Sequence, residues 1–138
     1  MSAIGSDRGT TLIEALAVVA ITALLALVGF PSLRDTLSGF AQRETVAAAG
    51  ARLRQTRADA MRLGEPRLFE IGRDGRGFVA TGWAYTVAPS DVNLASSNVI
   101  TFFADGSSGG GSVFVADGRR RTRLDVAPAT GAVSERPS

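Results

Sequence analysis

The sequence predicts an α+β protein, with one long N-terminal helix followed by antiparallel β-strands. Three observations predict it. An apolar stretch, Leu12–Phe30, runs past Pro31 into an arginine-rich amphipathic stretch that ends near Leu63. From Arg67 onward the chain reads as short strands separated by Asp-Gly turns. Its 138 residues and 14.3 kDa leave room for one domain and little else.

The apolar stretch is LIEALAVVAITALLALVGF, in which Glu14 is the only charge and Thr22 the only other polar side chain. As a helix it would be ~28 Å long, close to the ~30 Å hydrocarbon thickness of a bilayer. A domain this small could hardly surround a helix that is apolar on every side, so lipid is its expected environment. A secretory signal peptide is the rival reading. Against it stand a carboxylate near the start of the apolar run and a run longer than an ordinary signal core. Asp7 with Arg8 before the segment and Arg34 with Asp35 after it leave the orientation unset by charge. Ala15, Ala23 and Ala26 would form a strip for close helix approach, or simply reflect an alanine-rich composition.

Beyond Pro31, Leu33, Leu37, Phe40, Ala47, Ala48, Ala51, Ala58 and Met61 recur at roughly helical spacing, with Arg43, Arg52, Arg54, Arg57 and Arg62 among them. The expectation is one helix from about Thr11 to Leu63 whose second half packs on a domain by one face. Pro31 should bend it, because proline lacks an N–H and its ring crowds the carbonyl of Leu27. Gly64 suits a left-handed cap, and Pro66 blocks continuation. The expected strands are Arg67–Ile71, Phe78–Val87, Asn98–Ala104, Ser112–Ala116 and Arg120–Val126, with a weak one near Ala132–Ser134. Asp74-Gly75, Asp105-Gly106 and Asp117-Gly118 are turn formers, and Ala88–Ser97 reads as a loop. Short connections imply antiparallel hairpins. SSGGGS (Ser107–Ser112) reads as a flexible hairpin loop.

The inventory argues against most enzymes. No Cys is present, so disulfides, zinc–thiolate sites and cysteine nucleophiles are excluded, and no His, which removes histidine bases and HExxH zinc sites. No Lys is present either, so Gly106–Gly111 is not a Walker loop. No cofactor or metal is expected: a calcium site at Asp105, Ser107 and Asp117 fits no loop motif, and Asp-Gly turns account for these residues. The arginines raise the pI to about 10.3 although the net charge is only +2, a weak argument for nucleic acid. On a strand, Arg119, Arg121 and Arg123 would share one face, a weak basic surface able to meet phosphates; a solvated face or a subunit contact is the plainer reading.

Gly9-Thr10-Thr11-Leu12-Ile13-Glu14, leading into the apolar helix, resembles the processing site of type IV pilins and type II secretion pseudopilins. Leu53–Ala60 (LRQTRADA), Ile100–Gly110 (ITFFADGSSGG), Asp117–Arg121 (DGRRR) and Leu124–Gly131 (LDVAPATG) are similar to the general secretion pathway protein H family, which includes FimT-like minor pilins. The resemblance covers most of the chain. It implies a pilin-like lollipop, with residues 1–9 a leader, residues 10–31 the transmembrane and assembly half of the helix, and residues 32–138 a periplasmic domain. It further implies cleavage after Gly9 by the prepilin peptidase, methylation of the new N-terminus at Thr10 (where Phe or Met is usual), and a helix-bending role for Pro31. The implied protein is a minor pseudopilin, a non-enzymatic structural subunit in the bacterial inner membrane. Its implied partners are the other minor and major pseudopilins, the prepilin peptidase, the inner-membrane secretion platform and the lipid bilayer. A FimT-like minor type IV pilin, acting in pilus assembly or DNA uptake, is the alternative. An unrelated periplasmic domain on a single-span anchor is a third reading.

Glu14 is the most informative residue in this light. A carboxylate at hydrocarbon depth costs about 2.5–3.5 kcal/mol on insertion scales and calls for a partner. The apolar segment contains no arginine to pair with it. After cleavage the Thr10 amine would be a cation at similar depth, and the resemblance implies that Glu14 receives this amine from a neighbouring subunit. The rival reading is a glutamate snorkelling to the headgroups.

Overall fold

The computed structural model describes residues 11–137, with side chains described for residues 11–27 and 39–137. Helix α1 spans Leu12–Leu63. Thr11 caps its start, the hydroxyl accepting the Glu14 N–H at 3.3 Å. Its end is where the glycine rule places it: Gly64 adopts φ 70° and its N–H donates to the Ala60 carbonyl at 3.0 Å. The chain divides into two units, Met1–Thr36 and Leu37–Ser138.

In the first unit every described side chain from Thr11 to Leu27 is exposed. Thr22 is accommodated by donating its hydroxyl back to the Val18 carbonyl at 2.6 Å. Among the described residues no helix is long and apolar enough to cross a membrane. The described side chains of the apolar stretch stop at Leu27, three residues before its end at Phe30. The expected leader, with Gly9 and Thr10, lies outside the described residues, as does the side chain of Pro31, which falls within α1.

Among the described residues the second unit holds eight strands: β1 (Arg67–Ile71), β2 (Gly77–Ala80), β3 (Thr86–Val87), β4 (Asn93–Ser96), β5 (Ile100–Phe102), β6 (Gly111–Ala116), β7 (Arg121–Val126) and β8 (Val133–Pro137). They form two four-stranded sheets, β3-β2-β1-β5 and β4-β6-β7-β8, with every pairing antiparallel. Alternation aims Phe69, Ile71, Phe78, Ile100 and Phe102 of the first sheet and Leu94, Val113, Val115, Leu124 and Val126 of the second into one core. Phe69 and Phe78 stack there, with ring centroids 5.5 Å apart.

The helix closes this core with a different face from the one its apolar residues suggest. Phe40, Ala47, Ala48, Ala51, Ala58 and Met61 are exposed, and Leu33 and Leu37 lie outside the described side chains. The buried positions are Gly39, Gln42, Thr45, Val46, Ala49, Gly50, Leu53, Thr56 and Ala60. This is also a helical stripe, hidden in the sequence because three of its members are polar. Each is satisfied by a hydrogen bond: Thr45 donates to Ala41 O at 2.8 Å, Thr56 to Arg52 O at 2.7 Å, and Gln42 Nε2 to Val115 O at 3.2 Å.

Three strand expectations are also corrected. Phe78–Val87 is two strands, because a turn closed by Trp83 N–H to Ala80 O at 2.9 Å, with Gly82 at φ 83°, interrupts it. Trp83 leaves the sheet to lie against Arg52, whose guanidinium is 4.1 Å from the ring centroid, and donates its indole N–H to Asp59. The expected loop Ala88–Ser97 contains β4, which pairs with β6. SSGGGS does not close a hairpin. It carries the chain from the first sheet to the second and is tied down, Ser108 N–H donating to Pro128 O at 2.8 Å and Gly109 N–H to Thr101 O at 2.8 Å. Smaller differences are the shorter β5 and the longer β8.

Because the core lies wholly within the second unit, a fragment Ser32–Ser138 is expected to fold and stay soluble. Its circular dichroism should show mixed helix and antiparallel strand; a disordered or wholly helical spectrum would contradict this architecture.

Candidate functional site

Two features of the chain bear on function, the exposed apolar helix with Glu14 near its start and the arginine hairpin between β6 and β7. Thr11 is the cap of α1, so Glu14 is its third helical residue, the place where acidic side chains favour a helix start. The spacing Thr11-Leu12-Ile13-Glu14 is therefore also a capping signature, a local role that the sequence reading did not assign. Capping uses the backbone N–H of Glu14. Among the described residues no hydrogen bond or ion pair reaches its carboxylate, which is exposed at the side of an apolar helix. Leu12 is 82% and Leu27 77% exposed at the two ends of the described apolar stretch. A helix exposed and apolar all round needs lipid or other helices about it.

The second feature is built on the Asp117-Gly118 turn. Gly118 adopts φ 86°, and Asp117 Oδ1 accepts the N–H groups of Arg119 at 3.0 Å and Arg120 at 2.7 Å. Partial burial alone would raise the Asp117 carboxyl; the Arg120 and Arg119 N–H groups outweigh it and hold the group below its ordinary range. The hairpin is fastened to the helix at Gln42, whose amide reaches Val115 O, and at Gly39, against which the Arg120 guanidinium lies.

The three arginines expected to share a strand face are placed differently. Arg119 sits in the turn before β7, while Arg121 and Arg123 are exposed positions on it. Arg123 donates to Asp125 and lies 5.6 Å from the centroid of Phe114, its cross-strand partner. Asp125 also accepts the Ser112 hydroxyl at 2.7 Å and lies 3.9 Å from Arg136 Nε; Ser112 first, then Arg123, lower its carboxyl pKa. Asp105 and Asp117 organise separate turns, Asp105 accepting the Ser107 hydroxyl at 2.6 Å. Among the described residues no group of acidic side chains has the arrangement of a metal site.

The segment ITFFADGSSGG has a structural role. Arg57 Nε donates to Gly106 O at 3.0 Å, and a Cβ on Gly131 would come within 2.4 Å of that same oxygen. Gly106 and Gly131 adopt φ 84° and 62°. Helix, sheet connection and β7–β8 turn thus meet at a point where only glycine fits.

No family model matches the chain. The type II secretion system protein H of Xanthomonas campestris pv. campestris is 31% identical over 141 residues, covering 94% of this chain and 83% of that protein. Two crystal forms of the type IV minor pilin FimU of Pseudomonas aeruginosa share the fold. At 14% identity and 69% coverage of this chain, their TM-scores are 0.57 and 0.58, with 92% and 87% of the FimU chains covered. The minor pseudopilin EpsH from the type 2 secretion system of Vibrio cholerae matches with a TM-score of 0.51 at 13% identity, covering 69% of this chain and 96% of EpsH.

Proposed function

The chain belongs to the type II secretion system protein H family and is a minor pseudopilin, and from that premise we propose how its parts serve the pseudopilus. The apolar helix holds the chain in the inner membrane by a single pass, with residues 32–138 in the periplasm. Prepilin peptidase removes residues 1–9 after Gly9 and methylates Thr10. The freed helix then leaves lipid for a bundle of pseudopilin helices, where Glu14 receives the N-terminal amine of a neighbour and Pro31 supplies a bend. The subunit carries out no catalysis. It contributes surfaces, and its partners are other minor and major pseudopilins, the peptidase and the secretion platform.

The observation that carries this reading is the helix itself, exposed on every described side chain from Thr11 to Leu27 and apolar except at Glu14 and its two threonines. Such a helix is stable only within lipid or among helices like it. In the second unit the exposed alanines Ala47, Ala48, Ala51 and Ala58 give the helix a face that other helices can approach closely.

Co-expression with a prepilin peptidase tests the reading. The chain should shorten by the mass of Met1–Gly9, and Gly9→Val should block this; intact-mass spectrometry decides. A mature protein that begins beyond Phe30 would instead mean a conventional signal peptide. The FimU likeness supports a second reading, a minor type IV pilin of the FimT-like kind, acting in pilus assembly or DNA uptake. Complementation separates the two, since restored export of folded proteins supports the first and restored pili or DNA uptake the second.

A further inference from the structure

We propose that the outer face of the β4-β6-β7-β8 sheet is a docking surface for another protein, and that it takes an extended acidic segment carrying one apolar side chain. The site lies wholly within the second unit. It gives a chemistry to one partner of an assembly subunit, and to that extent rests on the reading above.

Register defines the face. Val113, Val115, Leu124 and Val126 belong to the core, so the residues alternating with them point outward. One outward row runs across the four strands as Ala95, Phe114, Arg123 and Arg136, and the next sets Ala116 beside Arg121. Ala95 and the three arginines are exposed. Residues 117–137 hold five arginines and three acidic residues, so they carry the whole formal net charge of +2 and the rest of the chain is neutral. Two of the three carboxylates are occupied, Asp117 by backbone N–H groups and Asp125 by Ser112 and Arg123. Among the described residues no carboxylate forms an ion pair with Arg120 or Arg121. An anionic partner is the complement of such a face.

The shape of the face narrows the partner further. Two open hollows adjoin and share Ala116 and Arg121. One, of about 340 Å³, is lined by Arg119, Arg120 and Arg121 with Ala116 and Gly118. The other, of about 290 Å³, is bounded by Asn93, Leu94, Ala95, Phe114, Ala116 and Arg121, a mainly apolar lining. One ligand fills both if an apolar side chain enters the second and carboxylates meet the guanidinium groups beside it. In an extended peptide, alternate side chains share a face about 6.7 Å apart, the period that also separates Arg121 from Arg123 on β7. The matching pattern is therefore an apolar residue followed at alternate positions by two carboxylates. Single-stranded nucleic acid fits less well, because its bases need an open ring to stack on and the Arg123 guanidinium already lies 5.6 Å from the Phe114 centroid. A second copy of this chain does not supply the segment, since its two nearest acidic residues, Glu70 and Asp74, stand four positions apart. The partner is a different chain.

The test uses the full chain in micelles of an uncharged detergent and follows its backbone amide resonances as the peptide GTFTDTETG is added at low salt. Shifts should concentrate in β4, β6 and the Arg119–Arg123 segment and approach saturation near millimolar peptide, the range of a small transient interface. The amide analogue GTFTNTQTG and the anchorless GTATDTETG should each bind at least about fivefold more weakly. Added salt at about 0.5 M should weaken the parent peptide to the level of the amide analogue. Arg121→Gln should weaken binding about fivefold, whereas Arg73→Gln, between β1 and β2, should change it less than about twofold. The peptide analogues decide the matter even if a variant fails to fold. Shifts spread over the whole molecule, equal binding of either analogue, or no effect of Arg121→Gln in a folded protein would overturn the proposal. So would the same shifts at lower concentrations of an oligothymidylate or of inorganic phosphate, which would reassign the face to nucleic acid or to a free anion. Because the site needs only the second unit, its failure would leave the anchoring and processing reading standing, and a chain that is not processed should still bind the peptide.

Discussion

Replacing Glu14 by Leu is expected to leave the protein inserted and cleaved after Gly9, yet to abolish its helix contacts with other pseudopilins. The substitution removes a carboxylate that costs about 2.5–3.5 kcal/mol at hydrocarbon depth, so insertion of the single helix should improve or stay unchanged. The Thr11 cap should survive, because it uses the Glu14 backbone N–H and not its side chain. In the assembled bundle, however, a neighbour's N-terminal amine would lose its partner away from water. Breaking a pair in such surroundings costs about 3–5 kcal/mol, against ~0–1 kcal/mol for a pair at an aqueous surface. Cross-links placed between Thr11 and Phe30 should therefore fall at least about tenfold in yield, with export lost. Contacts through the periplasmic domains would persist, which is why the cross-links must lie in the apolar segment. Wild-type cross-linking and export by Glu14→Leu would defeat the pairing mechanism while leaving the family assignment intact.

The second large effect is expected at Leu53, a fully buried residue of the helix face that closes the core. Leu53→Ala should destabilise the fragment Ser32–Ser138 by about 3 kcal/mol, since the cavity sits between a helix and two sheets that cannot all collapse onto it. For a domain near 100 residues this lowers the melting temperature by more than about 10 °C. Phe40→Ser, at a side chain that is 62% exposed, should change stability by no more than ~0.5 kcal/mol. Urea unfolding of both variants checks the orientation of the helix. A large loss at Phe40 with a small one at Leu53 would restore the face that the apolar residues alone suggest.

Much of the architecture was legible along the chain because its causes are local. The unbroken apolar stretch and the helical texture after it marked α1 to within a residue of its observed ends. Gly64, Gly75 and Gly118 marked turns because each takes a positive φ that other residues resist. β1 and β6 followed from their apolar alternation and the turns that flank them. The similarity to the protein H family was likewise carried by contiguous segments, from Gly9–Glu14 to Leu124–Gly131, and the relatedness found across 94% of the chain agrees with it.

What only the tertiary structure decided depends on partners remote in sequence. β4 is made of residues that favour a loop, and it becomes a strand because β6 supplies its hydrogen bonds and the core receives Leu94. The run Phe78–Val87 breaks because Trp83 finds Arg52 and Asp59 on the helix. Arg119, Arg121 and Arg123 look alike in the sequence, yet one lies in the turn before β7, one is an exposed position on that strand, and one is held by Asp125. Above all, the helix turns Phe40, Ala47, Ala48, Ala51 and Ala58 outward and buries Gln42, Thr45 and Thr56. Hydrophobicity alone ranks those choices the wrong way round. Burial of a polar side chain is decided by whether its hydrogen bonds can be made inside. The two threonines make theirs to their own helix, and Gln42 makes its bond to a strand carbonyl 73 residues away, which nothing in the neighbouring sequence announces.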